Sequence, residues 1–116
     1  MGTEKKNLSS PDETRKFANG QMEVVNIGGG TVGRATFEPG WKWSNDVKPI
    51  AGTELCEAPH FMYQSSGRMK VVMRDGTEFE SGPGDVLIIQ PGHDAWVVGN
   101  EAVNAIDWGG AANYAK

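Results

Sequence analysis

The chain is short of cysteine, of positive charge and of long apolar stretches, and each shortage excludes something. A single cysteine, Cys56, rules out an internal disulfide and fits a reducing compartment. No uninterrupted apolar run exceeds four residues, as in Val86–Ile89, against the roughly 20 that a membrane-spanning helix requires. A formal net charge of -4 leaves no basic footprint, so generic binding to nucleic acid or to an anionic membrane is disfavoured. Lys5 and Lys6 near the start have no apolar segment behind them, so no secretory signal is read and a cytoplasmic location is expected. At 116 residues the chain can close one hydrophobic core but not two, which excludes a two-domain enzyme.

What is abundant is turn chemistry. Sixteen glycines and six prolines would break a helical bundle repeatedly, whereas short strands joined by turns need them. Residues 1–9 are polar and are expected to form a flexible arm ahead of one domain spanning 10–116. Ser10-Pro11-Asp12-Glu13 has the order of a capping box, and predicts a short helix over about residues 11–18 that stops at Asn19-Gly20. Beyond it, Met22–Ile27, Thr31–Phe37, His60–Gln64, Met69–Met73, Thr77–Glu80, Val86–Ile89, Ala95–Val98 and Val103–Trp108 read as strands. Arg74-Asp75-Gly76-Thr77 predicts a two-residue type I′ hairpin. Evenly spaced short strands in so small a domain mean a sandwich or a barrel.

Two apparent motifs carry little. Gly28-Gly29-Gly30-Thr31-Val32-Gly33 matches the dinucleotide fingerprint as a string, but a strand ending in Pro39 follows where that motif needs a helix. No nucleotide cofactor is expected. Cys56 with His60 invites a thiol–imidazole nucleophile, yet no signature surrounds the cysteine and no helix-based oxyanion hole is evident.

Gly84-Asp85-Val86-Leu87-Ile88-Ile89-Gln90-Pro91-Gly92-His93 resembles the second motif of the cupin superfamily, and Glu54 to Gly67 sits where the first should lie. Pro39-Gly40-Trp41-Lys42-Trp43-Ser44, Ser66-Gly67-Arg68-Met69 and Pro91-Gly92-His93-Asp94-Ala95-Trp96-Val97-Val98-Gly99 are similar to a group of small bacterial cupins of uncharacterised function. The resemblance implies an all-β antiparallel jelly-roll barrel, the double-stranded β-helix, to which the capping box adds the one short N-terminal helix. It also implies a homodimer in which the N-terminal segment joins the partner's sheet.

The superfamily's metal site usually takes two His, a Glu and a third His. Counted back from Gly67, His60 occupies the usual Glu position, and Cys56 and Glu54 occupy those of the His pair. Ala95 holds the place of the third His, with His93 two residues before it. Along one straight strand Cys56 and His60 would stand roughly 13 Å apart, but Pro59 allows the chain to turn between them. Glu54 and Cys56 share parity and are expected to face one side. A thiolate with two imidazoles favours Zn, Cu or Fe over Mg or Ca, and Ni or Mn also enter as candidates. The expected metal ligands are therefore His60, His93, Cys56 and Glu54. The alternative is that Cys56 packs as a small apolar residue, Glu54 is solvated, His60 hydrogen-bonds inside the barrel and His93 is a turn residue.

Trp96, Tyr63, Gln64 and Trp43 are the expected small-molecule contacts, since a barrel mouth rimmed with indoles suits a flat or apolar ligand. Trp41, Trp43 and Trp108 equally suit a dimer interface or the closure of one barrel end. Two functions stay open: a module that binds a small organic molecule without turning it over, and a metal-dependent dioxygenase, isomerase or lyase.

Overall fold

The computed structural model describes residues 2–112 and 114–116, so Met1, the first residue of the expected arm, and Asn113 lie outside it. Nine strands and two helical turns follow in order: β1 Glu13–Phe17, β2 Gly20–Ile27, β3 Gly30–Phe37, α1 Trp43–Asp46, α2 Lys48–Ala51, β4 His60–Ser66, β5 Arg68–Met73, β6 Glu78–Ser81, β7 Val86–Ile89, β8 His93–Val98 and β9 Val103–Asp107. A six-stranded sheet has the order β1-β2-β3-β9-β4-β7, and a three-stranded sheet has the order β6-β5-β8. Every pair of neighbouring strands is antiparallel.

Alternation along the strands builds the core between the sheets. Met22, Val24, Ala35, Phe37, Met62, Leu87, Ile89, Val103 and Ala105 point inward from the larger sheet, and Met69, Val71, Ala95 and Val97 meet them from the smaller. Trp41 and Trp43 join this core, each 2% exposed.

The helix expected over residues 11–18 is instead strand β1. Arg15 pairs with Met22 and Phe17 with Gly20 in a hairpin, and the Asn19-Gly20 signal that read as a helix stop is its turn, with Asn19 at φ 62. A helix this short is marginal alone, and β1 buries Arg15 and part of Phe17 on one face with a period of two that a helix would scatter. Two further helical turns, α1 and α2, were not expected. They lie in the connection from β3 to β4, two strands of the larger sheet, and Trp43 in α1 and Val47 between the two turns are buried.

The type I′ turn also falls elsewhere. Ile27 pairs with Gly30 across Gly28-Gly29, whose φ values of 57 and 78 are those the tight turn needs. At Arg74-Asp75-Gly76 only the glycine has positive φ, and Gly76 N donates to Met73 O at 2.9 Å while Met73 N donates to Thr77 O at 2.7 Å. That is a three-residue loop with a glycine bulge, so the hairpin stands and its turn type changes.

Candidate metal centre

Cys56 reaches the barrel interior by pairing outside the regular strands. The chain bends through residues 53–55, and Cys56 N then donates to His93 O at 2.8 Å while Gly92 N donates to Cys56 O at 2.7 Å. Residues 57–59 then lead to His60, which opens β4 on the inward face shared with Met62 and Gln64. His93 opens β8, also inward. One donor atom from each of Cys56, His60 and His93 therefore lies within 4.8 Å of the others, and all three residues are buried.

Each imidazole is oriented from behind. His93 Nδ1 lies 2.8 Å from the Gln90 carbonyl and donates to it. His60 Nδ1 lies 2.5 Å from Asp107 Oδ2, and Nε2 lies 3.7 Å from Cys56 Sγ. Asp107 is itself fixed: its Oδ1 accepts from Gly109 N at 2.9 Å and from Gly110 N at 3.1 Å. Gly110 has to be glycine, since a Cβ there would run into the Pro59 carbonyl oxygen and would meet the His60 ring Nδ1 at 2.9 Å.

This arrangement sets the charges. Burial by itself disfavours an ionised thiol, but the contacts with His60 and His93 outweigh it and bring the Cys56 pKa from 9.0 down to about 6. Burial likewise works against an imidazolium, yet the hydrogen bonds to Asp107 and Cys56 raise His60 to about 9. The Asp107 carboxyl, despite its burial, is held below the usual carboxylate range by His60 and the two glycine amides. In the absence of a metal the line Cys56–His60–Asp107 is thus a thiolate, an imidazolium and a carboxylate.

The donors also suit a metal. A tetrahedral ion with bonds of about 2.3 Å to sulfur and about 2.0 Å to nitrogen separates those two ligand atoms by roughly 3.5 Å, and Cys56 Sγ and His60 Nε2 stand 3.7 Å apart. A His held by a carboxylate at its remote nitrogen is the usual support of such a ligand.

Glu54 is not part of this cluster. Its side chain is 90% exposed and pairs with Lys48 at 3.0 Å, because residues 53–55 bend and strand parity does not carry from Cys56 back to it. Among the expected ligand contacts, Trp43 lines the site, whereas Gln64 is consumed by structure: Nε2 donates to Gly67 O at 2.9 Å, and Oε1 accepts from Ser81 Oγ at 2.6 Å. Tyr63 faces outward, and Trp96 lies half-buried beneath Lys42 Nζ, 5.1 Å from its ring centre. Asp107 escaped the sequence reading although its signal was present: it continues the inward positions Val103 and Ala105 and is an acid where a core residue belongs.

Two spaces meet at the cluster. An inner cavity of about 20 Å³ is lined by His60, His93, Asp107, Trp41, Trp43 and Tyr114, among others. An outer cleft of about 320 Å³ is lined by Cys56, Pro59, Trp43, Gly110 and Tyr114, among others. Trp43 lines both, and so does Tyr114. It is held there by Arg15, whose buried Nη1 donates to Ala111 O at 2.6 Å and to Tyr114 O at 2.8 Å.

No protein-family model and no curated protein matches the chain. Solved structures do. A variant of oxalate decarboxylase from Bacillus subtilis superposes with a TM-score of 0.63 at 17% identity over 97% of this chain, which spans about a third (31%) of that longer protein. A protein of unknown function from Acinetobacter matches with a TM-score of 0.61 at 11% identity, covering 84% of this chain and 90% of its own. A sugar phosphate isomerase of the cupin superfamily from Silicibacter pomeroyi matches with a TM-score of 0.60 at 19% identity, covering 90% and 73% respectively. Identity this low speaks for the fold alone, and the fold is that of a small cupin. No helix among the described residues is long and apolar enough to cross a membrane.

Proposed function

We propose that this cupin holds one divalent transition metal, of the set Zn, Fe, Cu, Ni and Mn, between Cys56, His60 and His93, and uses it to bind a small organic molecule entering through the outer cleft. The carrying observation is the convergence of the three donors within 4.8 Å, with both imidazoles already anchored through their other nitrogen. Thiolate and imidazole select soft and borderline ions over Mg or Ca. The metal supplies Lewis acidity when bound. The chain's own part is to orient His60 through Asp107, to keep Cys56 ionised, and to exclude water with Trp43 and Tyr114. Elemental analysis of protein purified without a nickel column, with thermal shifts on adding each ion, tests this reading. About one equivalent of a transition metal, or a clear shift with one of them, is expected; neither being seen overturns it.

A second reading rests on the Asp107 contact. Cys56, His60 and Asp107 form the order of an activated thiol nucleophile. Iodoacetamide separates the two: bound Zn protects Cys56 under the metal reading and changes nothing if the thiolate acts alone.

We further propose a homodimer built on the outer face of β4, β7 and β9. Phe61, Tyr63, Val86, Ile88 and Trp108 are between 41% and 71% exposed there, and no charged side chain occupies the outward positions of these strands. An uncharged face lets a chain of net charge -4 meet its copy without repulsion. Light scattering at micromolar concentration is expected to give a dimer, and Ile88→Glu a monomer; a monomeric wild type would exclude it.

A further inference from the structure

The end of β9 and the start of β4 each serve two faces of the larger sheet. Asp107 is fully buried and supports His60, while the next residue, Trp108, is 51% exposed on the outer face. In β4 His60 points inward, and Phe61 beside it is 49% exposed on that same outer face. The two outward rings are neighbours with centres 6.1 Å apart, and Trp108 N donates to Phe61 O at 2.8 Å. Phe61 N makes a longer bond, 3.4 Å, to Asp107 Oδ1. One buried carboxylate therefore gathers His60 Nδ1 and the amides of Phe61, Gly109 and Gly110. The corner is also tightly packed. A Cβ added at Gly109 would meet Phe61 N at 2.8 Å, so the turn after β9 lies directly on the His60–Phe61 peptide, and a shift in one is felt by the other.

We infer that the apolar outer face of β4, β7 and β9 is coupled to the metal centre through this corner, so that metal binding tightens the homodimer and dimerisation tightens metal binding. The inference rests on both readings above, and deepens them by joining the two sites. A metal held by His60 fixes that imidazole and, through Asp107, restrains the amides of Phe61, Gly109 and Gly110 from inside the barrel. A second copy packed on Phe61 and Trp108 restrains the same backbone from outside. Each event orders what the other needs ordered, so the second meets a smaller entropic cost. Linkage makes the two effects equal in size. Coupling between two sites typically amounts to about fivefold to 150-fold, and about tenfold is expected across one shared corner.

Sedimentation velocity over a range of protein concentrations, with and without one equivalent of Zn, tests this. About 0.15 M salt screens repulsion between the net charges beyond about 8 Å, so a change in dimer affinity does not come from the charge of the ion alone. The dimer dissociation constant is expected to fall about tenfold with Zn. The reciprocal effect is read by chelator competition in Ile88→Glu, which replaces an outward side chain that is 71% exposed. That monomer is expected to bind Zn about tenfold more weakly than the wild-type dimer, and wild type diluted below its dimer dissociation constant is expected to match it. Hydrogen exchange at the amides of Trp108 and Gly109 is expected to slow on adding Zn to Ile88→Glu, where no dimer forms. A dimer dissociation constant that changes less than twofold with Zn, or exchange that Zn leaves unchanged at both amides, overturns the coupling and leaves the two sites standing. A wild type that stays monomeric with and without Zn overturns the dimer and the coupling. One that takes up no Zn overturns the metal centre and the coupling.

Discussion

His60 Nδ1 lies 2.5 Å from Asp107 Oδ2, two buried side chains 47 residues apart in sequence. The contact decides which nitrogen of His60 faces Cys56 and whether that imidazole carries charge. It arises because β4 and β9 are neighbours, with Met62 opposite Asp107, so the end of one strand meets the start of the other.

Asp107→Asn keeps the shape of the carboxylate and removes its charge. Zn affinity, measured by competition with a chelator, is expected to fall about tenfold to a hundredfold with the fold retained. An unchanged affinity would show that His60 needs no such support.

Metal binding should depend on pH with a definite sign. His60 is protonated below about 9 in the metal-free protein, and a metal takes only its neutral form. From pH 9 down to about 7, where the Cys56 thiol, near 6, is still ionised, each unit of pH should weaken apparent affinity about tenfold. Calorimetry in buffers of different ionisation enthalpy should count close to one proton released in that range. No proton release would mean that His60 is not a ligand.

Arg15 ties the C-terminal residues 111, 112 and 114 to β1 through three carbonyls, at 2.6, 3.2 and 2.8 Å respectively. Arg15→Met should destabilise the protein by about 2–4 kcal/mol in urea unfolding, since buried carbonyls lose a charged donor. It should also speed the uptake of Zn, because Tyr114, which lines both spaces beside the three donors, is then held less firmly. A slower or unchanged uptake would place the entry route elsewhere.

Glu54→Ala should leave Zn affinity within twofold of wild type, because Glu54 faces solvent beside Lys48. A larger loss would mean that the chain around residues 53–55 closes over the metal.

Most of the fold was legible because strand alternation and turn residues are local signals. Met62 and Gln64 share the inward face of His60 as their parity requires. The error at residues 11–18 has the same origin: a capping box is a local preference, and pairing β1 with β2 is a tertiary gain that local reading does not weigh. The site was legible in part. Spacing to Gly67 singled out His60, which lies beside Cys56. Glu54 was misplaced because parity holds only along a strand, and residues 53–55 bend. Asp107 and Tyr114 come from the far end of the chain, and only strand order and the Arg15 contacts bring them to His60.

The central claim is that Cys56, His60 and His93 together hold one metal ion, and Co(II) titration followed in the near ultraviolet tests it most directly. The account predicts saturation at one equivalent with a thiolate-to-cobalt charge-transfer band, loss of that band in Cys56→Ser, and at least tenfold weaker binding in His60→Ala and in His93→Ala. A titration that shows no such band, or one that Cys56→Ser leaves intact, would contradict it.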